Sequence, residues 1–408
     1  MKQRIFAVLA VLFLCAGIGR GAAYAVEPES STAAVSQEAR QDLAEQIRQI
    51  CRQNGVTGMG LVVFDKDGIC YQQYEGFAVA ETGRRVTEDT KFRVASVSKS
   101  ITAMLALDLV GQGRLELDAP LLPMGGCMLE NPRYASQPVT LRHLLTHTSG
   151  LVDAPSYTDA IGQRVLPPLR TVLPACWSQA APGSAYCYSN LGMGLVSGVV
   201  EQAAGEHFRT YARTKIFEPM GMDAAYSYSD LTNRQLVADI YSGGERTVFM
   251  PAWENMNAKY DPLPVGELYA LGQGDLFIAP RDLARFAQVL AGCPKPDEVF
   301  SLPENLLRQM QTPQYTVNCS AEDYPCEIVR GLGTQITEYL VTGRQMVGHQ
   351  GNAYGTICGM FTDPREHTGF VLLTNGAGMR TNQAGIYLVN QQTAQAVYDT
   401  FFPLQQEN

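Results

Sequence analysis

The sequence is thin in the groups that most enzyme chemistries need. Its 408 residues include five histidines, seven lysines and two tryptophans. No Cys-x-x-Cys occurs, which argues against a thioredoxin-like site or a zinc ribbon. There is no Gly-x-Ser-x-Gly elbow and no Walker or dinucleotide loop, which argues against an α/β-hydrolase and against nucleotide binding. His143 and His147 have the spacing of metal ligands on a helix, but Leu144 stands where a zinc protease needs glutamate. No metal and no cofactor are expected. Basic charge is scarce too. The net charge is −9, and without residues 1–25, which hold Lys2, Arg4 and Arg20, 28 basic residues face 40 acidic ones for −12. Nucleic acid and anionic membranes are poor partners for such a chain. Past residue 25 no apolar run is long enough to cross a bilayer.

The chain opens with Lys2 and Arg4, the apolar run Ile5–Ile18 and the small-residue site Ala23-Tyr-Ala25. Residues 1–25 read as a cleavable secretory signal. The expected product is secreted or periplasmic, has no stable membrane insertion and acts on a small-molecule or peptide substrate. Residues 26–35 read as a disordered linker. Outside the leader and its Cys15 the remaining cysteines should partly pair in an oxidising compartment. The nearest candidates are Cys319 with Cys326 and Cys176 with Cys187.

Periodicity predicts an α+β fold. Ser36–Gln53 reads as an amphipathic helix with Leu43, Ile47 and Ile50 on one face and Gly55 ending it. Met59–Asp65 and Ile69–Tyr74 read as strands joined by the turn Asp65-Lys-Asp-Gly68. From Leu115 to about Ser320 helical patterns dominate. Among them are Thr140–His147, with Thr140 as cap, and Leu191–Ala204, followed by Glu206–Phe217. Tyr226–Tyr269 is irregular and aromatic; it reads equally as a pocket wall or lid and as a loop packed on its own core. Strands return at Gly331–Ile336, Gln345–Gln350, Gly355–Thr362 and Phe370–Thr374, and a final helix is expected over Thr381–Phe401. The economical architecture is an antiparallel sheet built from both chain ends, residues 36–114 and 321–408, flanked by the terminal helices. A mainly helical domain is inserted over 115–320.

Chemistry concentrates in three segments. In Phe92-Arg-Val-Ala-Ser96-Val-Ser-Lys99 a strand-like stretch feeds a helix, and Ser96 and Lys99 share a face of its first turn. A desolvated lysine can take the proton of a serine, and unpaired backbone amides at a helix start can hold an oxyanion. Alone, a capping serine and a solvated lysine explain the pair as well. Tyr188-Ser-Asn190 runs from a turn into a helix. Tyr188 near Lys99 would shuttle a proton, since a cationic neighbour lowers a phenol's pKa, and Asn190 would hold a substrate amide. A buried Tyr and a capping Asn are the alternative. His349-Gln-Gly351-Asn352 ends a predicted strand. Gly351 would let substrate approach the strand edge, Asn352 would give a second oxyanion amide, and His349 a hydrogen bond or a charge near pH 6.5.

Ser-x-x-Lys and Tyr-x-Asn each occur once, in that order, with His349-x-Gly351 downstream. Together with Leu141-Arg-His-Leu-Leu-Thr-His-Thr-Ser-Gly150, Ile216-Phe-Glu-Pro-Met-Gly221, Gly272-Gln-Gly-Asp275 and the strand Phe370–Asn375, they resemble the serine β-lactamase and penicillin-binding-protein superfamily, its class C-like branch above all. The resemblance implies a DD-peptidase/β-lactamase-like fold. It implies Ser96 as acylated nucleophile, Lys99 as base and Tyr188 as proton shuttle. Asn190, His349, Gly351 and Asn352 would bind substrate. Antibiotic-hydrolysing members carry Lys-Thr-Gly where this chain has His349-Gln350-Gly351, so a peptide, D-amino-acid derivative or ester is the expected substrate. The alternative is a module that binds penicillin or a cell-wall fragment with slow or no turnover.

Overall fold

The computed structural model describes residues 35–163, 165–253, 263–294, 299–321 and 324–404, the side chains of Trp253, 318–321 and 324–327 excepted. The expected leader and the linker up to residue 34 lie outside these residues. The strands are β1 (Gly58–Asp65), β2 (Gly68–Val79), β3 (Arg84–Arg85), β4 (Phe92–Arg93), β5 (Ile240–Ser242), β6 (Glu245–Val248), β7 (Phe277–Ile278), β8 (Tyr315–Ala321), β9 (Tyr324–Gly331), β10 (Thr334–Thr337), β11 (Met346–Ala353), β12 (Thr356–Asp363) and β13 (Thr368–Thr374). Among the described residues one antiparallel sheet runs β3-β2-β1-β13-β12-β11-β10-β9-β8, and β4 pairs with β7 beside it. The fold class is α+β, with the sheet drawn from both ends of the chain.

Side-chain alternation explains why helices cover both faces. β1 is buried along its whole length, yet its residues divide by parity. Leu61 and Val63 join a cluster with Leu43 and Ile47 of α1 (Gln37–Gln53) and with Val397 and Phe401 of the C-terminal helix Leu388–Phe401. Val62 and Phe64 join the opposite cluster, with Ile101 and Leu105 of α2 (Ser98–Gly111) and Leu283 and Phe286 of the helix Pro280–Leu290. In β13, Phe370 and Leu372 face the first cluster and Val371 and Leu373 the second. Each such buried side chain contributes about 2 kcal/mol.

Local signals hold in detail at several ends. Ser36 Oγ caps α1 by accepting from Ala39 N at 3.1 Å. Asp65 Oδ1 accepts from Asp67 N and Gly68 N at 2.8 and 3.1 Å, closing the β1–β2 hairpin. The structure departs from expectation elsewhere. α2 starts at Ser98, and Ser96 lies in a separate 3-10 turn, Ala95–Val97. The helix is buried on all sides rather than on one stripe, because it threads between the sheet and the helical half. β8 begins inside the stretch assigned to the helical insertion, and the expected strand Gly331–Ile336 straddles the turn between β9 and β10. The last helix starts at Leu388, not Thr381. Asn382 Oδ1 accepts from Ala384 N and Ile386 N, both at 3.0 Å, and this local turn wins over helix. Of the aromatic stretch, Tyr226, Tyr228, Tyr241 and Tyr269 are core residues, Phe249 is exposed, and 254–262 lies outside the described residues. Cys176 and Cys187 are both free thiols, so the pairing expected of them does not form; Cys176 Sγ instead faces Val172 O inside its own turn. The side chains of Cys319 and Cys326 lie outside the described ones.

The C-terminal helix is anchored by a buried cation. Arg344 donates to Asp363 Oδ2 at 2.8 Å and to Phe402 O at 2.6 Å. Arg344→Met strands both acceptors in the core, so chemical denaturation is expected to show a loss of about 3 kcal/mol; a loss within error would mean the contact adds nothing.

Candidate active site

Ser96 sits where the chain is forced through an unfavourable bend. β4 pairs with β7, Val94 N donates to Leu276 O at 3.0 Å, and Leu276 N donates to Ser98 Oγ at 3.1 Å. Between these anchors Ala95 takes φ +48, a conformation that L-residues rarely hold without support. The bend presents the Ser96 side chain to a cleft with α2 behind it.

Lys99 lies directly beneath. Its side chain has no solvent exposure. Nζ lies 2.9 Å from Ser96 Oγ, 2.8 Å from Asn190 Oδ1 and 2.6 Å from Gln273 O. Burial pulls its pKa from 10.5 to about 7, against the opposing charge of Asp153. That fall corresponds to roughly 5 kcal/mol by which the surroundings disfavour the ammonium. The carbonyl of Gln273 is fixed by its loop. Thr102 Oγ1 donates to Gly272 O at 2.9 Å, Tyr157 OH donates to Gln273 Oε1, and Arg93 clamps Asp275 at 2.9 Å in a buried ion pair. Leu271 pays for this turn with φ +65.

Tyr188 and Asn190 enter from the start of α6 (Asn190–Ala204), which follows α3 (Leu141–Leu145), α4 (Pro155–Gly162) and α5 (Leu169–Val172) in the helical half. Tyr188 OH donates to Ser96 Oγ at 3.0 Å. Burial pushes its phenol up to about 12, and the hydrogen bond to Ser96 and the Arg330 charge only moderate this. The expected lowering by a cationic neighbour is thus overturned, and Tyr188 is a neutral phenol. The loop is held by His147, whose carbonyl accepts from Cys187 N at 2.8 Å and whose Nδ1 accepts from Ser189 N at 3.2 Å. His143 closes a capping box with Thr140. Both histidines thus serve turns. Asp153 gathers the rest: its carboxylate accepts from Ser189 Oγ, Asn190 N, Asn190 Nδ2 and Leu191 N at 2.8–3.0 Å. Negative charge is favoured at a helix start. Asn190 is therefore engaged at both ends of its amide, by Asp153 and Lys99, and orients the amine rather than standing free for a substrate.

The third wall is β11. It pairs with β10 only over Met346–Gly348, so among the described residues its edge from His349 onward has no strand partner on that side. Gly351 is pressed against the Ser96 bend: a Cβ there would lie 2.5 Å from Val94 O and 2.9 Å from Ser96 N. His349 is 4% exposed, its Nδ1 meets Gln350 O at 2.6 Å, and burial lowers its pKa to about 3. The charge expected near pH 6.5 is absent because the imidazole is desolvated. Gln350 is tied to the 380–387 loop, donating to Gly385 O at 2.7 Å and accepting from Tyr387 N at 3.1 Å. Asn352 Nδ2 donates to Tyr387 OH at 2.9 Å. A cavity of about 320 Å³ lies over Ser96, lined by Tyr188, Asn190, His349, Gln350 and Asn352, and also by Arg330, Gln335 and Tyr387.

The structure thus brings Ser96, Lys99, Tyr188, Asn190, His349, Gly351 and Asn352 to one cleft. Asp153, Gln273, Arg330, Gln335 and Tyr387 join them without a motif. Asp153 closely follows the Thr148-Ser-Gly150 stretch, Gln273 acts through its backbone, and Tyr387 falls in a segment whose pattern reads as helix.

Comparison with known proteins follows this geometry. The Beta-lactamase family model matches residues 39–394. Esterase EstB of Burkholderia gladioli is 37% identical over 194 residues, 43% of this chain and 48% of that protein. The D-alanyl-D-alanine-carboxypeptidase/endopeptidase AmpH of Escherichia coli (strain K12) is 29% identical over 241 residues, 58% of this chain and 57% of that protein. The chain thus spans about half the length of these two curated relatives. A class C beta-lactamase mutant shares the fold, with a TM-score of 0.66 at 19% identity over 87% of this chain and 96% of that one. With a family pattern running through nearly all of the described residues and that fold beneath it, the chain belongs to the Beta-lactamase family.

Proposed function

We propose that the chain is an exported serine hydrolase that cleaves an ester or amide bond through an acyl-enzyme on Ser96. The observation that carries this reading is the contact of Ser96 Oγ with both Lys99 Nζ and Tyr188 OH. As a neutral amine Lys99 has two N–H groups and one lone pair. The two N–H groups donate to Asn190 Oδ1 and Gln273 O, which leaves the lone pair for the Ser96 proton. Ser96 Oγ then attacks the substrate carbonyl carbon while its proton passes to Lys99. The backbone amides of Ser96 and Asn352 hold the oxyanion. Collapse breaks the bond to the leaving group, which takes a proton relayed through Tyr188. Water attacks the acyl-enzyme, gives up a proton along the same path, and releases the acid and the Ser96 hydroxyl. Export rests on the basic start, apolar run and small-residue site of residues 1–25.

The neutral His349 and the tethered Gln350 leave the strand edge without the cation and hydroxyl of antibiotic-hydrolysing members. That favours a peptide, D-amino-acid derivative or ester over efficient β-lactam turnover. The esterase and carboxypeptidase named among the relatives agree with this range.

A fluorophosphonate probe followed by intact mass measurement tests the nucleophile. Wild type is expected to gain one adduct and Ser96→Ala none; an adduct on Ser96→Ala would sink the assignment. A penicillin adduct that never releases would instead favour the binding module. The base has a separate signature. Activity should rise with pH through about 7, because only the deprotonated amine can accept the Ser96 proton. Asp153→Asn removes the charge that raises the Lys99 pKa, so this rising limb should move to lower pH while kcat falls about tenfold or more. A limb that stays in place would remove Asp153 from the electrostatics of the site.

A further inference from the structure

β11 carries the cleft wall past the reach of β10, which begins at Thr334 and meets β11 last at the Gln335–Gly348 pair. Parity sorts the β11 residues onto two faces. Val347 joins the cluster on the α2 side, and on that face Gly351 presses against the Ser96 bend. Met346 joins the cluster of the terminal helices, and Gln350 and Asn352 share its face. Both of these side chains end on one segment, residues 380–387. The Gln350 amide donates to Gly385 O at 2.7 Å and accepts from Tyr387 N at 3.1 Å, so it takes up a backbone carbonyl and a backbone N–H as a strand ladder would. Asn352 Nδ2 donates to Tyr387 OH at 2.9 Å. The segment is itself fixed. Thr381 bridges to Tyr387, Asn382 N donates to Ile386 O at 2.8 Å and Asn382 Nδ2 to Tyr339 O at 3.0 Å. Ile386 is fully buried in the terminal-helix cluster.

We infer that Gln350 and Tyr387 are positioning residues: they clasp the unpaired end of β11 to the 380–387 segment and so hold the Asn352 backbone amide at the oxyanion site beside Ser96. The inference rests on the hydrolase reading above and extends it to side chains that touch no reacting atom. β11 is gripped here from both faces, by the Ser96 bend at Gly351 and by the clasp at Gln350 and Asn352. With the clasp released, β12 is the one strand left to set the position of this end. A donor displaced by a fraction of an ångström from a developing oxyanion loses much of its effect, because the charge it meets exists only in the transition state. The clasp also gives Gln350 a task, since its amide is spent on the segment rather than offered to a substrate.

Turnover of p-nitrophenyl acetate and inhibition by phenylboronic acid test this on the purified full chain. Ser96 Oγ adds to the boron while its proton passes to Lys99, and one boron-bound oxygen of the tetrahedral adduct occupies the oxyanion site. Gln350→Met keeps the side-chain length and drops both hydrogen bonds. Tyr387→Phe removes one oxygen and keeps the ring. Each is expected to lower kcat about tenfold with KM within about twofold of wild type, and to weaken the boronate by a factor similar to the loss in kcat. Asn352→Ala, which keeps the backbone amide, should cost about as much as Tyr387→Phe, and the double variant no more than either alone. Wild-type kcat and boronate affinity in Gln350→Met and Tyr387→Phe, a loss confined to KM, or additive losses in the double variant overturn the inference while leaving the hydrolase intact. No turnover by wild type, or turnover that persists in Ser96→Ala, overturns the hydrolase reading and the inference with it.

Discussion

Lys99 is a long basic side chain with no solvent contact and no carboxylate touching its amine. A buried ammonium in that position is costly, and the chain meets the cost by letting the amine be neutral near pH 7. Two carbonyl oxygens, one from a side chain and one from the backbone, fix its orientation. The rest of the site is arranged so that those two oxygens and the Ser96 hydroxyl stay where they are.

That arrangement draws on distant parts of the chain. Arg93 and Asp275 are 182 positions apart in sequence and lock the loop that offers Gln273 O. Asp153 locks the start of α6 and, through Asn190, the other carbonyl. Gly351 lets β11 lie against the Ser96 bend, where any side chain would collide with backbone. Strain collects in the same places: of the five described non-glycine residues with positive φ, Ala95, His147 and Leu271 each lie within two residues of a group that touches Ser96 or Lys99, or hold the loop that carries Tyr188. Such backbone persists only where its surroundings over-determine it. The sheet provides that surrounding rigidity, since its central strands are buried on both faces.

Much of this was legible in the residues. The strand character of Met59–Asp65 and Phe370–Thr374, the cap at Thr140 and the turn at Asp65–Gly68 arise locally, so local patterns reveal them. The spacing of Ser96 and Lys99 reveals their shared face for the same reason. Other features depend on the folded neighbourhood. The direction of the Tyr188 shift reverses because burial outweighs the hydrogen bond to Ser96 and the Arg330 charge. His349 loses its expected charge by the same physics. Tyr387 hides in a segment with a helical pattern, because Asn382 diverts the backbone into a turn. Arg330 is one charged residue in a strand, and only the register brings it to the cavity.

The central claim is that Lys99 is a neutral amine at working pH, poised to take a proton from Ser96. With seven lysines in the chain, carbon-13 labelling of the lysine side chains gives a sparse spectrum. Lys99 can be assigned in it by comparison with Lys99→Arg. The most direct measurement is a pH titration of that signal. The account predicts a midpoint near 7, and a midpoint at the ordinary 10.5 would contradict it.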